Sequence, residues 1–207
     1  MNIIAYGDSH IAHLFYNIPI HVEVRSIPGD YIYNWIRKNS LPPLWEHTMN
    51  DIVVFSLGEV DCRQFIKPQI ERGRELKEIV DTLIDGYFEL IHKSITKYKQ
   101  IIIVGIIPPV NNSRSFCIER LPEHMVRGDQ FDRIKFTNEM NKKIQENTIK
   151  YGYTYFYPYS TYTNRDGTLD LSKADYDVHI STSHNNQLQS EFLSLINVEK
   201  FCNSGYI

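Results

Sequence analysis

Two clusters at opposite ends of the chain hold residue types that can do chemistry together. Ser9 stands in Gly7-Asp8-Ser9-His10, directly after the apolar run Asn2 to Tyr6 and before the amphipathic stretch Ile11 to Tyr16. That order reads as strand, tight turn, helix. A serine so placed projects its hydroxyl from the carboxyl edge of a sheet. It also sits at a helix N-terminus, where free N–H groups favour developing negative charge. Gly7 is expected to give the turn its backbone freedom. Taken alone, the tetrapeptide suits equally well a plain turn in which Asp8 or Ser9 caps the helix.

The second cluster is Asp175-Tyr176-Asp177-Val178-His179-Ile180-Ser181. A serine, a histidine and a carboxylate are the parts of a Ser-His-Asp triad: a nucleophile, a base within hydrogen-bond reach, and an acid that holds the imidazole's tautomer. Residues two apart in an extended segment point the same way, which favours Asp177 as the partner of His179. Asp175 needs a turn to reach the ring. His10 and His13 are rivals for the base, the first adjoining Ser9 and the second one helical turn away. A single turn rarely allows the linear approach that proton transfer needs, so packing or capping is the expectation for both.

A third polar cluster, Gly58-Glu59-Val60-Asp61-Cys62-Arg63, follows the apolar run Asp51 to Leu57. The Arg63 guanidinium either forks onto a substrate oxygen or pairs with Asp61 to brace the loop. Cys62 beside it has the setting of a reactive thiol, a role that Ser9 already fills. The aromatic stretch Tyr151 to Tyr162 (YGYTYFYPYSTY) suits stacking on a sugar or acyl chain. An ordinary core strand explains it more simply.

The elements that must position these clusters alternate. Strands are expected at Asn2 to Tyr6, His21 to Arg25, Asp51 to Leu57, Gln100 to Ile107 and Thr154 to Tyr157, with helices at Ile11 to Tyr16, Tyr31 to Arg37, Phe131 to Lys150 and Asn185 to Ile196. One long crossover helix is expected from Glu71 to Tyr98, and an irregular loop from Asn111 to Gly128. The pattern implies an α/β fold with a parallel sheet between two helical layers, three layers in all, as one domain over residues 1–207. In such folds the site lies at the carboxyl ends of the strands. The clusters Gly7 to His10, Pro28 to Asp30 and Gly58 to Arg63 all follow strands and so share that edge.

In this order of clusters the sequence resembles the SGNH hydrolases, or GDSL-like esterases, across essentially its whole length. The resemblance implies a flavodoxin-like sheet and a Ser-His-Asp mechanism without metal or cofactor. It sets Ser9 on the nucleophile, Gly29 on the oxyanion glycine, Gly58 and Asp61 on the third block, and His179 on the base. Two positions depart from the family pattern. Val60 stands where the family has its oxyanion asparagine, and Tyr176 stands three before His179 where the family has its acid, with Asp175 and Asp177 on either side. The implied activity is cleavage of an acyl ester on a lipid, a glycan or a small molecule. The lack of a long apolar segment for a lid, with Glu59, Arg63 and the aromatic stretch at the site edge, favours a small or glycan-borne ester, O-acetyl among them. The alternatives are O-acyl transfer to a glycan, or a binding module that kept the fold.

Composition narrows the partners. A net charge of -3 with scattered basic residues gives no nucleic-acid surface. Cys62, Cys117 and Cys202 are too few and too far apart for a disulfide framework and form no metal-ligand spacing. With no basic segment leading a long apolar run, neither signal peptide nor membrane span is expected, and the expected location is cytoplasmic. Oligomeric state, acyl group and acceptor leave no mark in the sequence.

Overall fold

The computed structural model describes residues 2–41, 47–111, 126–175 and 178–196. Five strands, β1 (Ile3–Gly7), β2 (Glu23–Ser26), β3 (Ile52–Ser56), β4 (Gln100–Val104) and β5 (Thr154–Phe156), form one parallel sheet in the order β2-β1-β3-β4-β5. The central strands β1, β3 and β4 are buried on both faces, and their sequences carry that requirement. Ile4, Tyr6, Val53, Phe55, Ile101 and Ile103 enter one core, while Ile3, Ala5, Ile52, Val54, Ile102 and Val104 enter the other. The period of two thus sorts an unbroken apolar run into two layers.

The first core is closed by α2 (Ile32–Lys38), α4 (Leu76–Ser94) and α5 (Gln130–Tyr151), and the second by α1 (Ser9–Phe15) and α6 (Asn186–Leu195). This is the expected three-layer α/β arrangement. The order reverses between β1 and β3, so the crevice above their carboxyl ends is the topological switch point where doubly wound folds bind ligands.

The long helix expected from Glu71 to Tyr98 begins later and has a separate predecessor. A π-helical turn, Asp61–Phe65, runs into α3 (Ile66–Glu71), and α4 starts only at Leu76. The break is a Schellman motif: Gly73 adopts φ +87°, its N–H donates to Ile70 O at 2.9 Å, and Arg74 N–H donates to Gln69 O at 3.2 Å. The apolar period itself starts at Leu76, where α4 starts, and Glu71 belongs to the end of α3. The loop expected at Asn111 to Gly128 falls largely outside the described residues, as do Cys117 and Cys202. Among the described residues no helix is long and apolar enough to cross a membrane.

Candidate active site

Ser9 is placed by tight packing at the end of β1. A Cβ on Gly7 would lie 2.2 Å from Ser56 O on β3, so glycine is required for space. Backbone freedom is not the reason, because Gly7 is absent from the positive-φ residues. The turn is pinned to both neighbours, with Asp8 N–H donating to Ser56 O at 3.3 Å and Ser26 Oγ donating to Asp8 O at 2.8 Å. Asp8 then caps α1, accepting the His10 N–H at 2.9 Å, and Ser9 becomes the first helical residue. Its N–H has no intrahelical acceptor.

His179 reaches Ser9 from the other end of the chain. An isolated antiparallel bridge joins Ala174 to Ile180, and Asp175 N–H donates to His179 O at 2.9 Å, so the segment folds back on itself. Across that turn the Asp175 carboxylate accepts from the His179 backbone N–H at 3.1 Å and lies 2.9 Å from ring Nδ1. The Nε2 atom lies 2.7 Å from Ser9 Oγ. A carboxylate at Nδ1 places the ring proton there and leaves the Nε2 lone pair for the serine hydroxyl. Strand periodicity favoured Asp177, which lies outside the described residues. It is Asp175 that meets the ring, beside the Ala174–Ile180 bridge.

The third cluster divides into bracing and open positions. Asp61 is fully buried and accepts backbone N–H bonds from Ile32 at 2.7 Å and Tyr33 at 3.1 Å, capping α2 from the neighbouring loop. Burial pushes its carboxyl up to about 7 against those two bonds. Arg63 pairs with Glu59 and not with Asp61, through Nε at 2.7 Å and a second nitrogen at 3.1 Å. Burial disfavours the Glu59 charge, but Arg63, and beyond it His10 and His179, hold its carboxyl below the usual range. Val60 is 4% exposed and packs as an apolar residue. Burial drives the Cys62 thiol far above its usual value, which leaves it unreactive.

Gly58 and Gly29 both have positive φ, at +121° and +74°. A Cβ on Gly58 would meet Ile106 Cδ1 at 2.6 Å, whereas one on Gly29 would meet nothing within 4 Å. Gly29 sits on an exposed turn closed by Asp30 N–H donating to Ile27 O at 3.0 Å, with Pro28 and Gly29 in the places a type II turn prefers.

The aromatic stretch is largely structural, since Tyr153, Phe156, Tyr159 and Tyr162 are buried. Sequence reasoning missed a different aromatic group at the carboxyl edge. Tyr33 stacks on Phe65 at 4.2 Å with Tyr31 beyond at 6.4 Å, and Tyr33 is exposed. Only the tertiary fold brings these together, because α2 and the π-helical turn follow different strands.

His10 and His13 sit beside Ser9 and His179 with their ring nitrogens turned elsewhere. His10 Nδ1 lies 2.9 Å from Asp8 Oδ1, and His13 Nδ1 lies 3.3 Å from Ile180 O. Among the described residues, His13, Asp175 and His179 form the grouping whose ligand atoms fall within 4.8 Å of one another. The His13 and His179 rings of this group are stacked within 9° of parallel, and Asp175 is hydrogen-bonded to His179.

Solved structures share this architecture. A GDSL-like lipase from Bacteroides thetaiotaomicron superposes with a TM-score of 0.63 at 12% identity, over 96% of this chain and 88% of that one. A member of the lipolytic protein G-D-S-L family from Veillonella parvula gives 0.53 at 15% identity, over 95% and 98%. A catalytic mutant of an acetylxylan esterase from Geobacillus stearothermophilus gives 0.53 at 13%, over 94% and 93%. No protein-family profile and no curated protein matches the chain. The chain has the three-layer fold of the GDSL-like, or SGNH, hydrolases.

Proposed function

We propose that this chain is a serine esterase that removes an acyl group, O-acetyl among them, from a small or glycan-borne alcohol. The observation that carries the reading is one line of contacts: Ser9 Oγ at 2.7 Å from His179 Nε2, and His179 Nδ1 at 2.9 Å from Asp175. In this mechanism Nε2 takes the hydroxyl proton as Oγ attacks the ester carbonyl. The tetrahedral oxyanion takes hydrogen bonds from the N–H groups of Ser9 and Gly29. His179 returns the proton to the departing alcohol oxygen. A water then attacks the acyl-serine with His179 again as base, which releases the acid and restores Ser9.

With Val60 buried and apolar, the oxyanion lacks a side-chain donor at that position. Loss of one such donor costs about 100- to 1,000-fold in turnover in a protease where it was removed, so slow hydrolysis is expected. The half-exposed ring pair Tyr33 and Phe65 at the same edge favours a sugar ring over a long acyl chain.

Incubation with a short-chain nitrophenyl ester and with a fluorophosphonate probe tests the reading. Labelling at Ser9 and loss of turnover in Ser9→Ala are expected. A Ser9→Ala protein that turns over at the wild-type rate would sink it. Acetate release from acetylated sugars, measured beside a series of longer esters, tests the substrate class. Preference for chains of about ten carbons would refute the glycan reading, since each buried methylene adds about 0.8 kcal/mol in an apolar groove.

A further inference from the structure

The rings of His10 and His13 lie against the His179 ring, at centroid distances of 4.7 Å and 4.2 Å. Their nitrogens go to the backbone on either side of it. His10 Nε2 lies 3.3 Å from Val178 O, and His13 Nδ1 lies 3.3 Å from Ile180 O. These carbonyls flank His179 in sequence, and both are met from α1. One turn of α1 thus meets the backbone acceptors on either side of His179.

We propose that His10 and His13 are positioning residues that clamp the His179 segment to the helix bearing Ser9, with His10 acting as a standing imidazolium. The proposal rests on the Ser9–His179 reading for its consequence in catalysis and on geometry alone for the clamp. His10 must donate from both nitrogens, because it faces a carboxylate on one side and a carbonyl on the other, and a neutral ring carries only one N–H.

The charged and titratable groups around His10 agree with this. Asp8 comes from its own helix cap, Glu59 from the loop after β3, His13 from the next turn of α1, and His179 from the clamped segment. Burial opposes a charge on His10, yet Asp8, Glu59 and the Val178 carbonyl together raise its pKa to about 9. His13 is held neutral by burial and by His179, and one nitrogen suffices for its single bond. The near-parallel stack of His13 on His179 also blocks rotation of the catalytic ring away from Ser9. Asn185 completes the attachment, its Nδ2 donating to His13 O at 3.0 Å.

Two variants of His13 and one spectrum test this. His13→Leu removes the donor, and the acylation rate is expected to fall about tenfold or more with KM little changed, in line with the cost of small misplacements. His13→Gln, whose amide can donate to Ile180 O, should recover most of that rate. In protein labelled with 15N in its imidazoles, both His10 nitrogens should report N–H at neutral pH, and the downfield Nδ1–H of His179 should broaden in His13→Leu. The clamp is overturned if His13→Leu acylates like wild type with an unchanged His179 resonance, or if His10 is neutral at pH 7. If His13→Leu does not fold, the wild-type His10 spectrum and the His13→Gln rate decide. A wild-type chain that neither hydrolyses esters nor reacts with fluorophosphonate defeats the esterase reading, while the two imidazole resonances still judge the clamp.

Discussion

At the scale of single residues, the chemistry depends on which carboxylate meets His179. Asp175 holds both the backbone N–H and the ring of His179, so one side chain fixes the turn and the tautomer together. Asp175→Asn is therefore expected to lower kcat by up to about 10,000-fold, the loss seen when a protease triad acid becomes its amide, because the amide favours the wrong imidazole tautomer. Asp177→Asn should leave turnover near wild type. Steady-state kinetics of the two variants checks the assignment, and a reversed order would move the acid to Asp177. Ser9, His179 and both aspartates were legible as candidates because triad chemistry admits few residue types. The choice between the aspartates was not, because it depends on ties between residues 173–175 and 179–181 that spacing does not reveal. Asp61 and Arg63 show the same limit. Both stand out in sequence as polar residues after a buried strand, yet their partners, the α2 amides and Glu59, are set by neighbours that spacing does not reveal.

Among the elements, all five strands lie within a few residues of their expected places, β1, β3 and β4 because a strand buried on both faces must be apolar nearly throughout, and β2 because its half-buried residues alternate. The π-helical turn and α3 lie ahead of the helical period that starts at Glu71, in a stretch to which the sequence reading assigns no element, and the Gly73 break separates them from α4. Gly7 was noticed for the wrong property. With its missing Cβ only 2.2 Å from Ser56 O, Gly7→Ala must separate β1 from β3 where Asp8 N–H bonds the same carbonyl. Overpacking of this kind typically costs about 1–3 kcal/mol, and a backbone carbonyl cannot yield as a flexible side chain would. Thermal unfolding should show a clearly lowered Tm, and the surviving folded fraction should react more slowly with fluorophosphonate, because the turn carrying Ser9 moves with Gly7. An unchanged Tm would mean that the sheet edge is looser than these distances imply.

The whole molecule joins its two chain ends through a charged pair buried between layers, and this makes stability depend on pH in a definite direction. Asp8 and His10 are 1% and 7% exposed, and their pairing ties the end of β1, the first turn of α1 and the Val178 carbonyl of the C-terminal segment. Burial alone would lower the His10 pKa, but the neighbouring Asp8 carboxylate, with Glu59 and the carbonyl, raises it from 6.5 to about 9. The folded state therefore binds a proton between pH 6.5 and about 9 that the unfolded chain has released, and stability falls with rising pH across that window. Below pH 6.5 both states carry the proton and the contribution of His10 is complete. Urea unfolding at a series of pH values should show a midpoint that declines from about pH 6.5 toward pH 9 as this linkage requires. In His10→Gln, which cannot titrate, that decline should flatten even though the protein is less stable overall. A wild-type midpoint that is level from pH 6.5 to 9, or a decline of equal slope in His10→Gln, would show that the proton is not held at His10 and that the two ends of the chain are joined by packing alone.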